Sequence, residues 1–556
     1  MAKNILFIMF DQLRWDYLSC YGHPSLQTPN IDRLAQNGVR FDRAYIQSPL
    51  CGPSRMSAYT GRYPSSHGAT WNKVPLKVGE MTMGDHLRDN GMACWLVGKT
   101  HMEADRAGME RLGIDPESPI GQRVSECGFD VYERDDGMRP EGPGGFYDDR
   151  GALKYNDYLR SKGYEGENPW HDYANSGVDA DGNSQSGWYL GNSDKPANIR
   201  EEDSETPYMM QRGMEFIETR GDEPWCCHLS LIKPHWPYIA PDPYAGMYGP
   251  NSYLPVNRSK AERDDAHPVF AAMMGSGVGR AFSQDEARAK VMGAYMGLVK
   301  QIDDQIGVLL DWLEDTGRMQ ETMIVLTSDH GDYLGDHWLG EKTFFHDCST
   351  KIPLIIYDPS PEADATRGTV SDDLVELIDL VPTFVDVAGG NSSSLDHVLE
   401  GRSLLPILHD KQQGPLREYA VCEYDFSAAG LRKALGSDEK SSFMYMVATK
   451  EWKLIHFETG HRPMLFDLRA DPDELIDLGN SPDHQDTIAA LYKHLYAWSR
   501  RPSARTTIDK AWLDEKLSEP DGYDGVVIGA VSEADVSPEV AAYLSGRKVR
   551  NFTDQN

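Results

Sequence analysis

The chain has 556 residues and a formal net charge of −32. That length exceeds a single ordinary core, so a large catalytic domain with at least one smaller unit is expected, and so acidic a surface disfavours nucleic acid or anionic membrane as partners. Eight cysteines, scattered apart from Cys226-Cys227, form neither a disulfide framework nor a CxxC metal pattern, which points to a reducing, cytoplasmic setting.

Met1-Ala2-Lys3-Asn4 leads straight into the apolar run 5–10, which Asp11 ends before any small-residue cleavage site, so the run reads as a first strand and not as a signal. Similar short runs follow at 93–97, 226–232, 323–327 and 353–357. Their continuous apolarity suits strands buried on both faces of a largely parallel sheet. Residues 108–198 turn rich in Gly, Asp, Asn, Pro and Tyr and are expected to be an insertion. A helix is predicted over 283–313, with Ser283 and Glu286 as a capping box, one apolar face running from Val291 to Leu313, and Gly317 as a stop.

Strands alternating with helices predict an α/β fold, and such folds bind ligands beyond the carboxyl ends of their strands. The catalytic domain is expected over 1–389. A smaller C-terminal α+β domain follows over 390–499, with a hairpin made of 444–449 and 452–457 and a helix over 486–498. Residues 500–556 read as a charged tail suited to wrapping a partner subunit. No run approaches about 18 apolar residues, so no membrane span is expected.

Chemistry concentrates at Cys51-Gly52-Pro53-Ser54-Arg55. Pro53 suits a helix start and Gly61 its stop, which places Cys51 at a helix N-terminus where free amides favour an anion and Arg55 can turn back toward it. Asp11 ends the first strand, and Asp329-His330-Gly331 follows another, so both should project at one sheet edge as oxygen and imidazole ligands for a divalent cation. A lone buried Cys or a turn Asp is the commoner outcome for any one of these residues taken by itself.

Leu50-Cys51-Gly52-Pro53-Ser54-Arg55, followed by Thr60-Gly61-Arg62, resembles the signature of the sulfatase family, and Gly98-Lys99-Thr100-His101, Pro234-His235-Trp236-Pro237, Lys342 and Leu465-Phe466-Asp467-Leu468 with Asp471-Pro472 resemble further elements of it. The resemblance runs from Asn4 to about Leu478. It implies an alkaline-phosphatase-like fold, a large mixed and mostly parallel sheet flanked by helices, and oxidation of Cys51 to formylglycine by a formylglycine-generating enzyme. It implies one Ca²⁺ or Mn²⁺ held by Asp11, Gln12, Asp329, His330 and residue 51. Gln12 stands where the family usually has a second carboxylate. His330 replaces the Asn of many sulfatases and resembles the branch that contains phosphonate monoester hydrolases.

The implied chemistry begins with attack by an activated hydroxyl of residue 51 on sulfur or phosphorus. Lys342 or His235 would protonate the leaving oxygen, His101 would act as the later base, and Lys99, Arg55 and the metal would offset charge on the non-bridging oxygens. Asn72 occupies a position like one that contacts substrate in phosphonate hydrolases. The leading expectation is an arylsulfatase-like sulfuric ester hydrolase with promiscuous activity on phosphonate monoesters and phosphate diesters. The alternative reverses that preference, and the tail from Arg500 to Thr507 loosely resembles the oligomer-forming segment of that branch, so a homodimer or homotetramer is expected. A non-catalytic protein of the same fold would show gaps in this constellation. A Ser-based phosphatase would have to use Ser54, about one turn beyond Cys51.

Overall fold

The computed structural model describes residues 2–137, 154–503, 505–518, 534 and 536–545. Part of the expected insertion, 138–153, and the tail segments 519–533 and 546–556 lie outside the described residues.

The strands are β1 (Asn4–Asp11), β2 (Val39–Tyr45), β3 (Ala93–Gly98), β4 (Asp130–Arg134), β5 (Ser176–Val178), β6 (Ser184–Ser186), β7 (Trp225–Pro234), β8 (Thr322–Ser328), β9 (Lys351–Tyr357), β10 (Thr369–Ser371) and β11 (Val375–Glu376). Nine of them form one sheet in the order β10-β2-β9-β8-β1-β7-β3-β4, with β11 also on β2, while β5 and β6 form a separate ladder. Strands β8, β1, β7, β3 and β4 run parallel, and β9 is antiparallel to both β8 and β2. The sheet is therefore mixed and mostly parallel. Every residue of β1, β7 and β8 is buried, as their largely apolar runs predict for strands covered on both faces.

Strand β2 is absent from the sequence expectation because Arg40, Asp42 and Arg43 interrupt its apolar pattern; only its Val39, Phe41, Ala44 and Tyr45 are buried. Strand β4 lies within the expected insertion yet pairs with β3 at the sheet edge. The long helix is Asp285–Asp315 and buries the predicted face, including Val291, Tyr295, Ile302, Ile306 and Leu309. Its capping box does not form. Ser283 already closes the preceding helix Gly277–Phe282, its hydroxyl donating to Gly279 O at 2.7 Å, so the long helix starts after Gln284 without a side-chain cap.

The C-terminal sheet is antiparallel, β12 (Ala420–Asp425), β13 (Phe443–Ala448), β14 (Trp452–Phe457) and β15 (Met464–Asp467), and the helix Gln485–Ser499 follows it. Residues Met1–Ser392 and Leu399–Arg501 make one compact unit, so this sheet shares a unit with the large one; Ser393–Val398 and Pro502–Asn556 make the second. Within the second unit lie the helices Lys510–Ser518 and Pro538–Ser545. All eight cysteines are free thiols. Among the described residues no helix is long and apolar enough to cross a membrane.

Inside the first unit, Glu423 of β12 accepts from Ser65 N at 3.1 Å and from the Ser65 hydroxyl at 3.0 Å. Burial pushes the Glu423 carboxyl up to about 7, against the pull of Ser65 and Arg501. A carboxyl raised in the folded state adds stability that is complete below its unfolded value and is lost as pH climbs through the folded one. The shift from 4.5 to about 7 corresponds to on the order of 3 kcal/mol. Glu423→Gln should therefore flatten the decline in stability between about pH 4.5 and 7, the window this shift spans, when urea midpoints are compared across pH.

Candidate active site

Parallel strands bring their carboxyl ends to one edge, and four of those ends supply the site. Asp11 closes β1, Asp329 and His330 follow β8, His235 follows β7, and Lys99 with His101 follow β3. The turn after β3 needs glycine: Gly98 has φ 113°, and a Cβ there would lie 1.9 Å from Ser230 O. Gln12, His101 and Glu341 hold left-handed backbone at φ 68°, 57° and 55°, a conformation uncommon outside glycine that gathers where surrounding structure imposes it.

The helix Cys51–Thr60 is buried throughout and ends at Gly61, φ 67°. Cys51 opens it, and Ser54 donates its hydroxyl to Asp329 O at 2.6 Å. Ser54 thus braces the site and does not face it. Asn72, expected at the substrate, accepts from Gly52 N at 3.0 Å and so caps one of the helix amides that the sequence left open for an anion.

Asp11, Cys51, Asp329 and His330 place one ligand atom each within 4.8 Å of one another, all buried. His330 Nε2 lies 3.1 Å from Cys51 Sγ and 3.5 Å from Oδ1 of both Asp11 and Asp329. Its Nδ1 sits 2.8 Å from Gly331 O, a carbonyl that only accepts. When the ring is neutral its proton sits on Nδ1, and Nε2 then turns its lone pair toward the two carboxylate oxygens. That convergence fits a divalent cation with hard oxygen and imidazole ligands. The nearby carboxylate of Asp329 raises the His330 imidazole above its ordinary value, against burial and Lys342.

The outer oxygens of the two carboxylates are held from behind. Arg55 donates from Nε to Asp329 Oδ2 at 2.8 Å and from a terminal nitrogen to Asp11 Oδ2 at 3.3 Å, while Lys99 Nζ reaches Asp11 Oδ2 at 2.6 Å. The other guanidinium nitrogen of Arg55 donates to the Ser230 hydroxyl at 2.7 Å and to Lys99 O at 3.2 Å. Arg55 is completely buried. Arg55, expected to offset charge on the non-bridging oxygens, makes its hydrogen bonds to the protein, and through them it positions both carboxylates. Lys99 shares that duty at Asp11. Burial and the Cys51 thiolate both act to raise the Asp11 carboxyl, yet Lys99, His235 and Arg55 outweigh them and hold it well below the usual carboxylate range. Asp329 is raised by burial, against Arg55, with the Asp11 charge adding to the rise. Removing one partner from a buried charged array costs about 3–5 kcal/mol. Arg55→Met should lower the unfolding temperature of the cation-free protein clearly, and a variant as thermostable as the parent would contradict this assignment.

On the other side of Cys51, Lys342 Nζ lies 2.9 Å from Sγ, 3.2 Å from His235 Nε2 and 3.3 Å from Gln12 Oε1. Gln12 turns its amide nitrogen to Tyr238 Oη at 3.0 Å and Asp332 Oδ2 at 2.5 Å, and donates its backbone N–H to Asp329 Oδ1 at 3.1 Å. Its amide oxygen is left on the Lys342 side of the cluster. His235 Nδ1 lies 2.7 Å from Trp236 O, so its Nε2 lone pair faces the Lys342 ammonium. Burial pushes His235 down to about 4, with Lys342 adding to the fall and Asp11 opposing it. Burial opposes a charged thiolate at Cys51, but Lys342, His330, His101 and His235 together hold the thiol well below its ordinary value. Lys342 rises in turn, against burial, beside Cys51, Asp11 and Glu341.

Asp332, Ser230, Tyr238 and Asp136 belong to the site but carry no family signature. Asp136 accepts from the backbone N–H groups of Thr100 and His101, each at 3.2 Å, and fixes that turn. Only Asp332, three residues after Asp329, had a readable sequence signal. The pairs Asp336-His337 and His346-Asp347 are structural: Asp336 binds Arg14 at 2.6 Å, and the His337 and His346 rings stack at 3.7 Å.

A mixed sheet with this cluster at its carboxyl edge defines a hydrolase of the alkaline phosphatase superfamily. The family model described as Sulfatase matches residues 3–390, and the chain belongs to that family. A second model, described as N-sulphoglucosamine sulphohydrolase, C-terminal, matches residues 335–501. The chain is 30% identical to the multifunctional alkaline phosphatase superfamily protein PehA of Trinickia caryophylli, over 91% of this chain and 96% of that one. It is 27% identical to an arylsulfatase of Clostridium perfringens, over 89% and 94%. Among solved structures, the phosphonate monoester hydrolase of Silicibacter pomeroyi superposes with a TM-score of 0.78 at 27% identity, over 90% of this chain and 96% of that chain.

Proposed function

We propose that the protein hydrolyses sulfate monoesters, in the manner of an arylsulfatase, at a formylglycine formed from Cys51 and with one Ca²⁺ or Mn²⁺, and that it also accepts phosphonate monoesters and phosphate diesters. The observation that carries this reading is the convergence of Asp11 Oδ1, Asp329 Oδ1 and His330 Nε2 beside Cys51 Sγ, with Lys342 Nζ 2.9 Å from the same sulfur. Asp11, Asp329, His330 and residue 51 would hold the cation, and the Gln12 amide oxygen is within the same neighbourhood. A bound divalent cation supplies Lewis acidity and charge neutralisation for the ester oxygens. Formylglycine supplies an oxygen nucleophile where the unmodified chain has a thiol.

The remaining steps rest on the chain's own groups. Lys342 keeps a proton on Nζ and donates it toward the departing alcohol oxygen. His235, neutral near pH 7 with its lone pair toward Nζ, orients that ammonium and takes up part of its hydrogen bonding. His101, in the turn after β3, would act as the base as the enzyme resets. The burial of the whole cluster excludes bulk water and strengthens each of these interactions.

His330 and the likeness to a phosphonate monoester hydrolase favour a second reading, in which phosphonate monoesters and phosphodiesters are the better substrates. The ratio of kcat/KM for an aryl sulfate to that for a phenyl phosphonate monoester decides between them, since it measures differential transition-state binding. The ratio should exceed about ten on cation-loaded protein matured with a formylglycine-generating enzyme, a margin of about 1.4 kcal/mol. A ratio below one supports the second reading, and turnover of neither ester overturns both. We further propose cytoplasmic residence and a homodimer or homotetramer built in part by the tail.

A further inference from the structure

Beside the cluster lies a cavity of about 290 Å³ whose walls include Trp188, Leu190, Trp236, Tyr238 and Phe282. Two edge-to-face pairs form much of the lining: Trp188 with Trp236 at 5.3 Å and Tyr238 with Phe282 at 6.2 Å between ring centroids. The cavity lies next to the cluster through two chain neighbours of its residues and one hydrogen-bonded side chain. Trp236 follows His235, Glu341 precedes Lys342, and Tyr238 is tied to Gln12 and Asp332 by hydrogen bonds of 3.0 Å and 2.6 Å. The one acidic side chain among the lining residues is Glu341. No hydrogen bond or ion pair to its carboxylate exists among the described residues, although Lys342 next to it is engaged with Cys51, Gln12 and His235.

An unpaired carboxylate against aromatic walls is unfavourable by itself. Rings with a carboxylate make a favourable receptor for a poorly hydrated cation, because the ring quadrupoles and the negative charge act together. Lys342 is turned to Cys51, while Glu341, its chain neighbour, lines the cavity. We propose that this cavity is the leaving-group subsite and that Glu341 with Trp188, Trp236, Tyr238 and Phe282 selects alcohols or phenols bearing a quaternary or tertiary ammonium. Its placement as a leaving-group site rests on the ester hydrolysis proposed for the Cys51 cluster. A substrate matched to it carries a negative ester and a positive alcohol in one molecule.

The test uses cation-loaded protein and two esters of similar shape, 3-(trimethylammonio)phenyl sulfate and 3-tert-butylphenyl sulfate. The ratio of their kcat/KM values, cationic over neutral, should fall about tenfold on Glu341→Gln, the size expected when a partly desolvated cation loses such a partner. The intrinsic reactivity difference between the two phenols cancels in that comparison. Benzyltrimethylammonium, followed by tryptophan fluorescence, should bind the parent and bind both Glu341→Gln and Trp188→Leu several-fold more weakly. Trp188 is on the exposed rim at 36% accessibility, so its replacement does not threaten folding. Hydrolysis of both esters with a ratio unmoved by Glu341→Gln overturns the subsite and leaves the hydrolase reading intact. Glu341-dependent binding of benzyltrimethylammonium without hydrolysis of either ester overturns the hydrolase reading and leaves a cation-selective cavity.

Discussion

Cys51→Ala is expected to lower aryl sulfate turnover by about four orders of magnitude or more, the scale of losing a covalent nucleophile. The expectation follows from position. Sγ is 3.1 Å from His330 Nε2, 2.9 Å from Lys342 Nζ and 3.9 Å from Asp11 Oδ1, so three groups of the cluster meet at the atom that Ala removes. The buried helix around residue 51 is packed through its other side chains, and loss of one sulfur leaves a cavity of modest cost. A folded, inactive variant is therefore the expected product. Mass spectrometry of the peptide carrying residue 51 provides the companion measurement. An aldehyde there supports the mature nucleophile, whereas a plain thiol in active protein from the native host would sink the formylglycine mechanism.

The second large effect is expected at Asp329. Asp329→Asn keeps the volume but puts either an amide N–H₂ against the Arg55 donor or the same group toward the cation position, and both arrangements are repulsive. Bound cation measured by elemental analysis should drop to background, and kcat/KM should fall about a thousandfold or more, as removal of a charge-stabilising group in a water-poor site commonly produces. Chelation of the parent protein should give the same loss, reversible by added Ca²⁺ or Mn²⁺. In the variant the added cation should restore nothing. An Asp329→Asn protein that keeps its cation and its rate would show that Asp11 and His330 suffice.

Much of this site could be read before any coordinates because the reactive residues stand directly after apolar runs. Asp11 and Asp329 are legible for that reason, since a buried parallel strand has only one end where a polar side chain can emerge into a cleft, whereas Lys99 and His235 stand out by their resemblance to family elements. The partners of those residues are less legible. Ser230 lies inside a strand and looks like an ordinary buried hydroxyl, but it meets Arg55 because β7 lies next to β1. Arg55 was recognisable as a member of the site, but its role was not, since spacing along a helix says nothing of which acid waits across the sheet. Strand β2 escaped notice because its partly exposed face carries charge, and the true start of the long helix was hidden by a serine that serves the helix before it. Periodicity reports burial well and says little about which polar partner is found across a tertiary contact.

The grip of Arg55 and Lys99 on the outer carboxylate oxygens also bears on how the protein matures. With internal counter-ions already in place, the newly made chain can close around its acidic ligands before any cation arrives, and the inner oxygens stay aimed at a common point. If the cation binds as proposed, assembly would be ordered, with folding first and loading second. Metal supply would set how much of the protein is active, not how much of it survives.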